Sequence, residues 1–186
     1  MPRHSGGRAT ALQKFWSQRF CGAAYNAKTL MAADIIGVLI ALQILVVAFV
    51  ALHNWIPLGA LNDLPAVRAE FPTGKLLLTT LSNLTPAAIG LGASIFYFRH
   101  GFPDWLIWYL WIFYLLACCG SLWAWWIPYF FGAGKKRIAR EQALYRNTHS
   151  FLPERHGLRP NTLHVIFDVV TVAILITLAV LTAQAR

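Results

Sequence analysis

The sequence predicts an all-α integral membrane protein, a bundle of about four transmembrane helices with short interfacial helices beside them. Its composition is the first reason: 58% of the 186 residues are hydrophobic and 12% are charged, whereas soluble domains carry about 25% charged residues. The mean hydropathy of +0.53 agrees. The second reason is that four long apolar runs are separated by polar connections. The third is that Trp and Tyr crowd both ends of one run, the headgroup positions that these side chains favour.

The four apolar runs have the length that a bilayer requires. A hydrocarbon core of about 30 Å needs about 20 apolar residues in a helix, and all four runs are close to that length or above it. A membrane β-barrel would instead show alternating apolar and polar residues. The second run is the weakest of the four, because Pro86 lies inside it. We predict one transmembrane domain over residues 31–186, with spans at about 33–53, 75–98, 105–131 and 162–183.

The amino-terminal tail, residues 1–30, predicts a separate surface element. It contains five Lys and Arg residues and no acidic residue, and Leu12, Phe15, Trp16 and Phe20 recur near helical spacing. This pattern is typical of a basic amphipathic helix that lies on a membrane. The whole chain has a net charge of +9. Because the basic residues lie outside the apolar runs, we predict anionic lipids as partners, and we expect no nucleic acid because no binding motif accompanies the charge.

The polar connections contain start signals for further helices. Asn62 or Asp63, followed by Pro65, can begin a short interfacial helix. The first half of the connection at residues 132–160 is predicted to be helical. Asn161 is a candidate N-cap for the last span.

Four spans fix which connections share a side of the membrane. The first and third connections lie on one side, and the tail, the second connection and the carboxyl end lie on the other. The first side has nine Lys and Arg residues and the second has seven, so the positive-inside rule discriminates poorly. The dense third connection favours a cytoplasmic location with both termini outside, and the basic tail favours the opposite. In a bacterial cell the predicted location is the inner (plasma) membrane.

Polar residues concentrate where the first and third connections meet, and the candidate site is placed there. Asp168 lies about 9 Å into the last span, at 1.5 Å per residue. His164 precedes it by four residues and therefore shares its helical face, and Asn161 extends the same stripe. His164 and Asp168 are the candidate catalytic residues. The candidate binding residues are His53, Asn54, Tyr145, His149 and Asn161.

Three roles are open for this polar stripe. In a structural role, Asp168 accepts a hydrogen bond from His164 or from an Arg of the third connection. In a catalytic role, Asp168 and His164 form a proton relay or general-base pair. In the third role, His53 and His164 hold a metal or haem, but two His residues are not a spacing signature, so no metal or cofactor site is predicted. Asn83, inside the second run, is predicted to make an interhelical hydrogen bond, with a binding role as the alternative.

Span count and length are similar to those of the membrane-associated proteins of eicosanoid and glutathione metabolism. Arg68-Ala69-Glu70, before the second run, resembles their basic motif. The Asn and Glu expected in the following turns are absent, since Phe71, Pro72 and residues 76–78 occupy that region. The third connection is also longer than theirs. The resemblance therefore implies no residue role.

The sequence leaves two functions open. The first is a non-catalytic scaffold or accessory subunit, in a homo-oligomer or a membrane complex, because packing features are dense and no catalytic signature occurs. The alternative is a membrane-embedded enzyme or transporter for a lipophilic or anionic molecule. Its polar site would lie on the face shared by the connections at 53–75 and 132–160. This alternative predicts a cavity that contains both His164 and Asp168.

Overall fold

The computed structural model describes residues 33–184, and within this part the chain is helical, with no strands. Four helices are long and apolar enough to cross a membrane: α1 (Ala33–Leu52), α3 (Thr73–Tyr97), α4 (Asp104–Phe131) and α6 (Thr162–Gln184). Two shorter helices, α2 (Leu64–Glu70) and α5 (Lys135–Tyr145), lie in the first and third connections. The four long helices begin and end within two residues of the predicted spans, and the second of them continues through Pro86. The predicted helix of the tail falls outside the described residues.

Helices α2 and α6 begin at the predicted caps. The Asp63 carboxylate accepts a hydrogen bond from the backbone N–H of Ala66, at 3.1 Å. The side-chain oxygen of Asn161 accepts a hydrogen bond from the backbone N–H of His164, at 3.0 Å. Both bonds satisfy an amide that has no partner inside its own helix. Asn62, the other cap candidate for α2, closes the preceding loop, because its amide bonds to the backbone of His53 and Leu58.

The centre of the bundle is formed by α1, α4 and α6. Leu39 of α1, Leu106 and Tyr114 of α4, and Ile174 and Leu178 of α6 are almost completely buried against one another. The outward faces of the long helices are also apolar. Leu78, Phe96, Trp108, Leu116 and Ile176 are among the large apolar side chains that remain more than half exposed or close to it. Such a surface fits lipid better than water.

Helix α3 is joined to the bundle near its carboxyl end. Gln43 of α1 is buried, and its amide nitrogen donates to the Ser94 hydroxyl at 3.0 Å. One turn earlier, Gly90 lets α4 approach closely, since a Cβ atom there would lie 3.1 Å from Leu110 Cδ2. Tyr109 of α4 donates to the carbonyl oxygen of Pro86 at 2.8 Å.

The first and third connections pack against each other over one end of the bundle. Together they form the cap, which we define as residues 53–72 and 132–161. The backbone N–H of His149 donates to the carbonyl of Ala60 at 2.6 Å. Asn147 donates to the Asp63 carboxylate at 2.9 Å. Val67 of α2 and Leu144 of α5 share a small buried cluster with Leu76 of α3. Four spans predict that these connections share a side, and the structure places them together.

Helix α4 is irregular near the cap. Residues Leu122–Trp126 form a π-helical turn, and Pro128 lies two residues beyond it. Proline has no N–H to donate to the carbonyl four residues earlier, which belongs to Ala124. The guanidinium of Arg137 donates to that carbonyl instead, at 2.6 Å. Pro128 therefore does not end α4, which continues to Phe131 and ends at Gly132, where φ is 85°.

A stability test follows from the close approach at Gly90. We expect Gly90→Val to lower the free energy of unfolding by about 1–3 kcal/mol, because added side-chain atoms overpack the contact with Leu110 and Tyr109. The matched control is Gly92→Val, which makes the same change on the same helix, where a Cβ meets no atom within 4 Å. Thermal unfolding in detergent measures both. Equal melting temperatures for the two variants would show that the α3–α4 contact is not tight.

Candidate functional site

A cleft of about 490 Å³ lies directly beneath the cap, between α1, α3, α4 and α6. Three of the predicted site residues, His53, Asn54 and His164, line it. Most of the remaining wall is apolar or aromatic, with Thr80 and Asn83 as further polar groups. The other lining residues are Val46, Phe49, Val50, Thr79, Phe113, Leu116, Ala117, Gly120, Ser121, Ala124, Trp125 and Phe167.

The two histidines of the cleft face each other within an aromatic shell. Their ring centroids are 6.0 Å apart and the ring planes are nearly perpendicular, at 88°. Phe49 stacks on His53 with a centroid separation of 4.4 Å. The ring centroids of Trp125 and Tyr145 lie 4.5 Å and 5.6 Å from that of His164. The rings are therefore positioned by packing as well as by hydrogen bonds.

Hydrogen bonds determine the tautomer of each neutral histidine. His53 Nδ1 lies 2.8 Å from the carbonyl oxygen of Phe49, which can only accept, so Nδ1 has the proton. His164 Nδ1 lies 2.6 Å from Asn161 Oδ1. The orientation of that amide is fixed, because its oxygen accepts a backbone N–H and its nitrogen donates to the carbonyl of Leu61 at 3.2 Å. His164 Nδ1 is therefore also the protonated nitrogen.

The remaining nitrogen of each ring, Nε2, is consequently a hydrogen-bond acceptor. Burial lowers the pKa of His53 below its ordinary value of 6.5, which favours the neutral ring. Among residues 33–184, neither Nε2 has a hydrogen-bond partner. The cleft thus offers two acceptor nitrogens to a bound molecule that can donate.

Two polar side chains of α3 border the same cleft. The Thr80 hydroxyl accepts a hydrogen bond from the indole of Trp55 at 3.0 Å, which ties the cap to α3. Asn83 donates to the carbonyl of Thr79 in its own helix, at 2.9 Å. The prediction of an interhelical bond for Asn83 is therefore wrong. The reason is that the cleft separates this face of α3 from its neighbours.

The structure divides the predicted polar stripe. Asp168 accepts hydrogen bonds from the Ser121 hydroxyl and from the indole of Trp126, the latter at 2.8 Å. Its expected donors, His164 or an Arg of the third connection, do not reach it. Ser121 directly precedes the π-helical turn of α4 and Trp126 is its last residue, so Asp168 braces that turn. It borders a separate apolar groove between α4 and α6, outside the cleft.

The physical reason for this division is helical geometry. Four residues advance a helix by about 6 Å and rotate it by about 40°. That offset is enough to turn the His164 ring into the cleft and the Asp168 carboxylate towards α4. His164 and Asp168 therefore share a helical face without belonging to the same site. The predicted cavity therefore contains His164 without Asp168.

The other three predicted binding residues lie around the cleft but do not line it. Asn161 orients His164, and Tyr145 covers the same ring from the cap. His149 lies outside the cleft and is exposed, with Nδ1 2.8 Å from the Thr162 hydroxyl.

Sequence reasoning missed Phe49, Trp125 and Ser121 as contacts of the candidate residues. Nothing in the sequence distinguishes Phe49 from other apolar residues of its run. Trp125 belongs to the Trp and Tyr residues at one end of the third run, whose spacing predicts a headgroup position and not a contact with His164.

The cleft contains too few metal-ligating side chains for a typical metal site. Within residues 33–184, no group of three or more His, Cys, Asp or Glu side chains lies together. The two Nε2 atoms would supply two ligands, whereas protein zinc sites use three or four. The arrangement fits a hydrogen-bonded organic molecule better.

Comparison with known proteins assigns no family. No protein-family model, curated protein or solved structure matches the chain.

A double-mutant cycle tests the brace at Asp168. We expect Asp168→Ala to lower the free energy of unfolding by about 1–3 kcal/mol, because the Trp126 indole and the Ser121 hydroxyl lose their acceptor. Ser121→Ala combined with Asp168→Ala should cost less than the sum of the two single changes. The control is Val169→Ala, on the exposed face of the same helix. If Asp168→Ala is no more destabilising than this control, Asp168 does not brace α4.

Proposed function

We propose that this chain is an integral membrane protein that binds a lipophilic molecule with a hydroxyl or other hydrogen-bond donor in the cleft beneath the cap. The supporting observation is the pair of histidine Nε2 acceptors, from His53 and His164, inside a largely apolar and aromatic cleft. The proposal concerns binding, a step that an enzyme and a transporter share.

The size and lining of the cleft support a small-molecule ligand. Its 490 Å³ lies within the range of about 300–1,000 Å³ that is typical of ligand pockets. Such pockets combine apolar walls with a few fixed polar groups. Phe49, Phe113 and Phe167 would contact the apolar body of the ligand. A molecule without a donor would leave both Nε2 atoms unsatisfied, so the pair also supplies selectivity.

The membrane assignment rests on the four long apolar helices and on their exposed apolar faces. In the proposed orientation the cap is cytoplasmic and the connection between α3 and α4 lies on the opposite side. The polar groups of the cap then face water, and the cleft lies beneath them between the apolar helices. A lipophilic ligand could enter from the bilayer without crossing water.

Cysteine accessibility tests this arrangement. The background replaces Cys21, Cys118 and Cys119 with Ser, and single cysteines are then introduced as Glu70→Cys, Lys136→Cys or His100→Cys, all at exposed positions. A membrane-impermeant maleimide should label positions 70 and 136 from the cytoplasmic side and position 100 from the other. Labelling of all three from one side would contradict four spans. Labelling of positions 70 and 136 from outside would show that the orientation is the reverse of the proposed one.

Ligand binding is tested by what co-purifies with the protein. The full chain is purified in a mild detergent, and its organic extract is analysed by mass spectrometry. We expect a molecule in the wild-type extract that decreases about tenfold or more in His53→Phe/His164→Phe, because lost hydrogen bonds cost about 1 kcal/mol each. Phe keeps the aromatic ring and removes the acceptor.

The matched control is His100→Phe, which removes an exposed histidine at the opposite end of the bundle. It should leave the extract unchanged. If the double variant folds and retains the same molecules at wild-type amounts, the ligand proposal fails. The scaffold or accessory-subunit hypothesis then becomes the better one, and stable co-purification with another membrane subunit would support it.

A further inference from the structure

A second cavity, of about 450 Å³, lies between the end of α4, helix α5 and the segment that leads to α6. Ala124 and Trp125 separate it from the histidine cleft, since both residues border both cavities. Its lining is much more polar than that of the cleft. The charged residues that line it are Arg137, Arg146, Arg159, Glu141 and Glu154.

Arg137 is held in this cavity by the irregular end of α4. Its Nη2 atom donates to the carbonyl of Ala124 at 2.6 Å, which holds one end of the guanidinium group. Its Nε atom is buried and has no hydrogen-bond partner among the described residues. A buried N–H without an acceptor is destabilising, because the group has lost its hydrogen bond to water and gained none in the protein. An acceptor from a bound molecule would remove that cost.

The acidic residues of the cavity do not neutralise its arginines directly. Glu141 lies 3.6 Å from Arg140, which is outside the cavity lining. Burial raises the pKa of Glu141, an effect that Arg140 and Arg137 oppose. Within residues 33–184, no carboxylate oxygen lies within 4.0 Å of Arg137, Arg146 or Arg159. Three guanidinium groups therefore face one cavity without an ion-pair partner in the described chain.

We propose that this cavity binds a phosphate group. Guanidinium groups match the geometry of phosphate oxygens and bind them in bidentate fashion. A phosphate has enough oxygens to be shared by several arginines, and the cavity is large enough for the rest of a polar headgroup. The cavity lies where α4 ends and α6 begins, next to the membrane surface in the proposed orientation. The phosphate could belong to a lipid headgroup or to a soluble phosphate compound.

The test uses the detergent-solubilised full chain and three probes: dioctanoyl phosphatidic acid, dioctanoylglycerol and inorganic phosphate. Calorimetric titration should show saturable binding of dioctanoyl phosphatidic acid and none of dioctanoylglycerol, which has the same chains without the phosphate. Arg146→Gln/Arg159→Gln should weaken binding about tenfold or more, because two groups that make charge-assisted hydrogen bonds to phosphate are lost. Both arginines are exposed enough for the protein to fold without them.

The control is Lys135→Gln/Lys136→Gln, which removes the same charge from exposed positions of α5 that do not line the cavity. Equal weakening by both double variants would mean general attraction to a basic surface and would overturn the proposal. Equal binding of the two dioctanoyl probes would overturn it as well, even if the arginine variant does not fold. Displacement by millimolar inorganic phosphate would identify a soluble ligand. Binding that inorganic phosphate does not displace would identify a lipid headgroup.

Discussion

The candidate site depends most on one buried side chain, Asn161. Its amide oxygen accepts the backbone N–H of His164, in the first turn of α6, and also the imidazole proton of His164. Its amide nitrogen donates to Leu61, in the other half of the cap. Three hydrogen bonds of this one residue therefore set the start of a long helix, the tautomer of a histidine and the closure of the cap. A buried amide with all these bonds satisfied is rigid, because breaking any one leaves a polar group without a partner.

The end of α4 is the second feature that organises this region. A π-helical turn followed by Pro128 disrupts the regular helical hydrogen bonds there. Two neighbouring elements compensate: Arg137 of α5 bonds to the Ala124 carbonyl, and Asp168 of α6 bonds to the residue before the turn and to its last residue. The same irregular segment forms the wall between the histidine cleft and the arginine cavity. Local irregularity in α4 is thus linked to both proposed binding sites.

The fold was largely predictable because its determinants are local. Span positions follow from runs of apolar residues, whose length must match a bilayer. The caps at Asp63 and Asn161 follow from the preference for side chains that accept a backbone N–H at the first turn. The site was predictable only in part. Helical periodicity placed His164 and Asp168 on one face, but it could not say which neighbouring helix each would meet.

The sequence by itself therefore determined the four apolar helices, their order, their approximate ends and the end of the bundle at which polar residues gather. These properties depend on residue type and spacing along a single helix. Only the tertiary structure decided that His53 meets His164, that Asp168 turns away to α4, and that Arg137 replaces a donor lost at Pro128. Those pairings join residues far apart in the chain, and they depend on how the helices rotate and pack against one another, which periodicity within one helix does not specify.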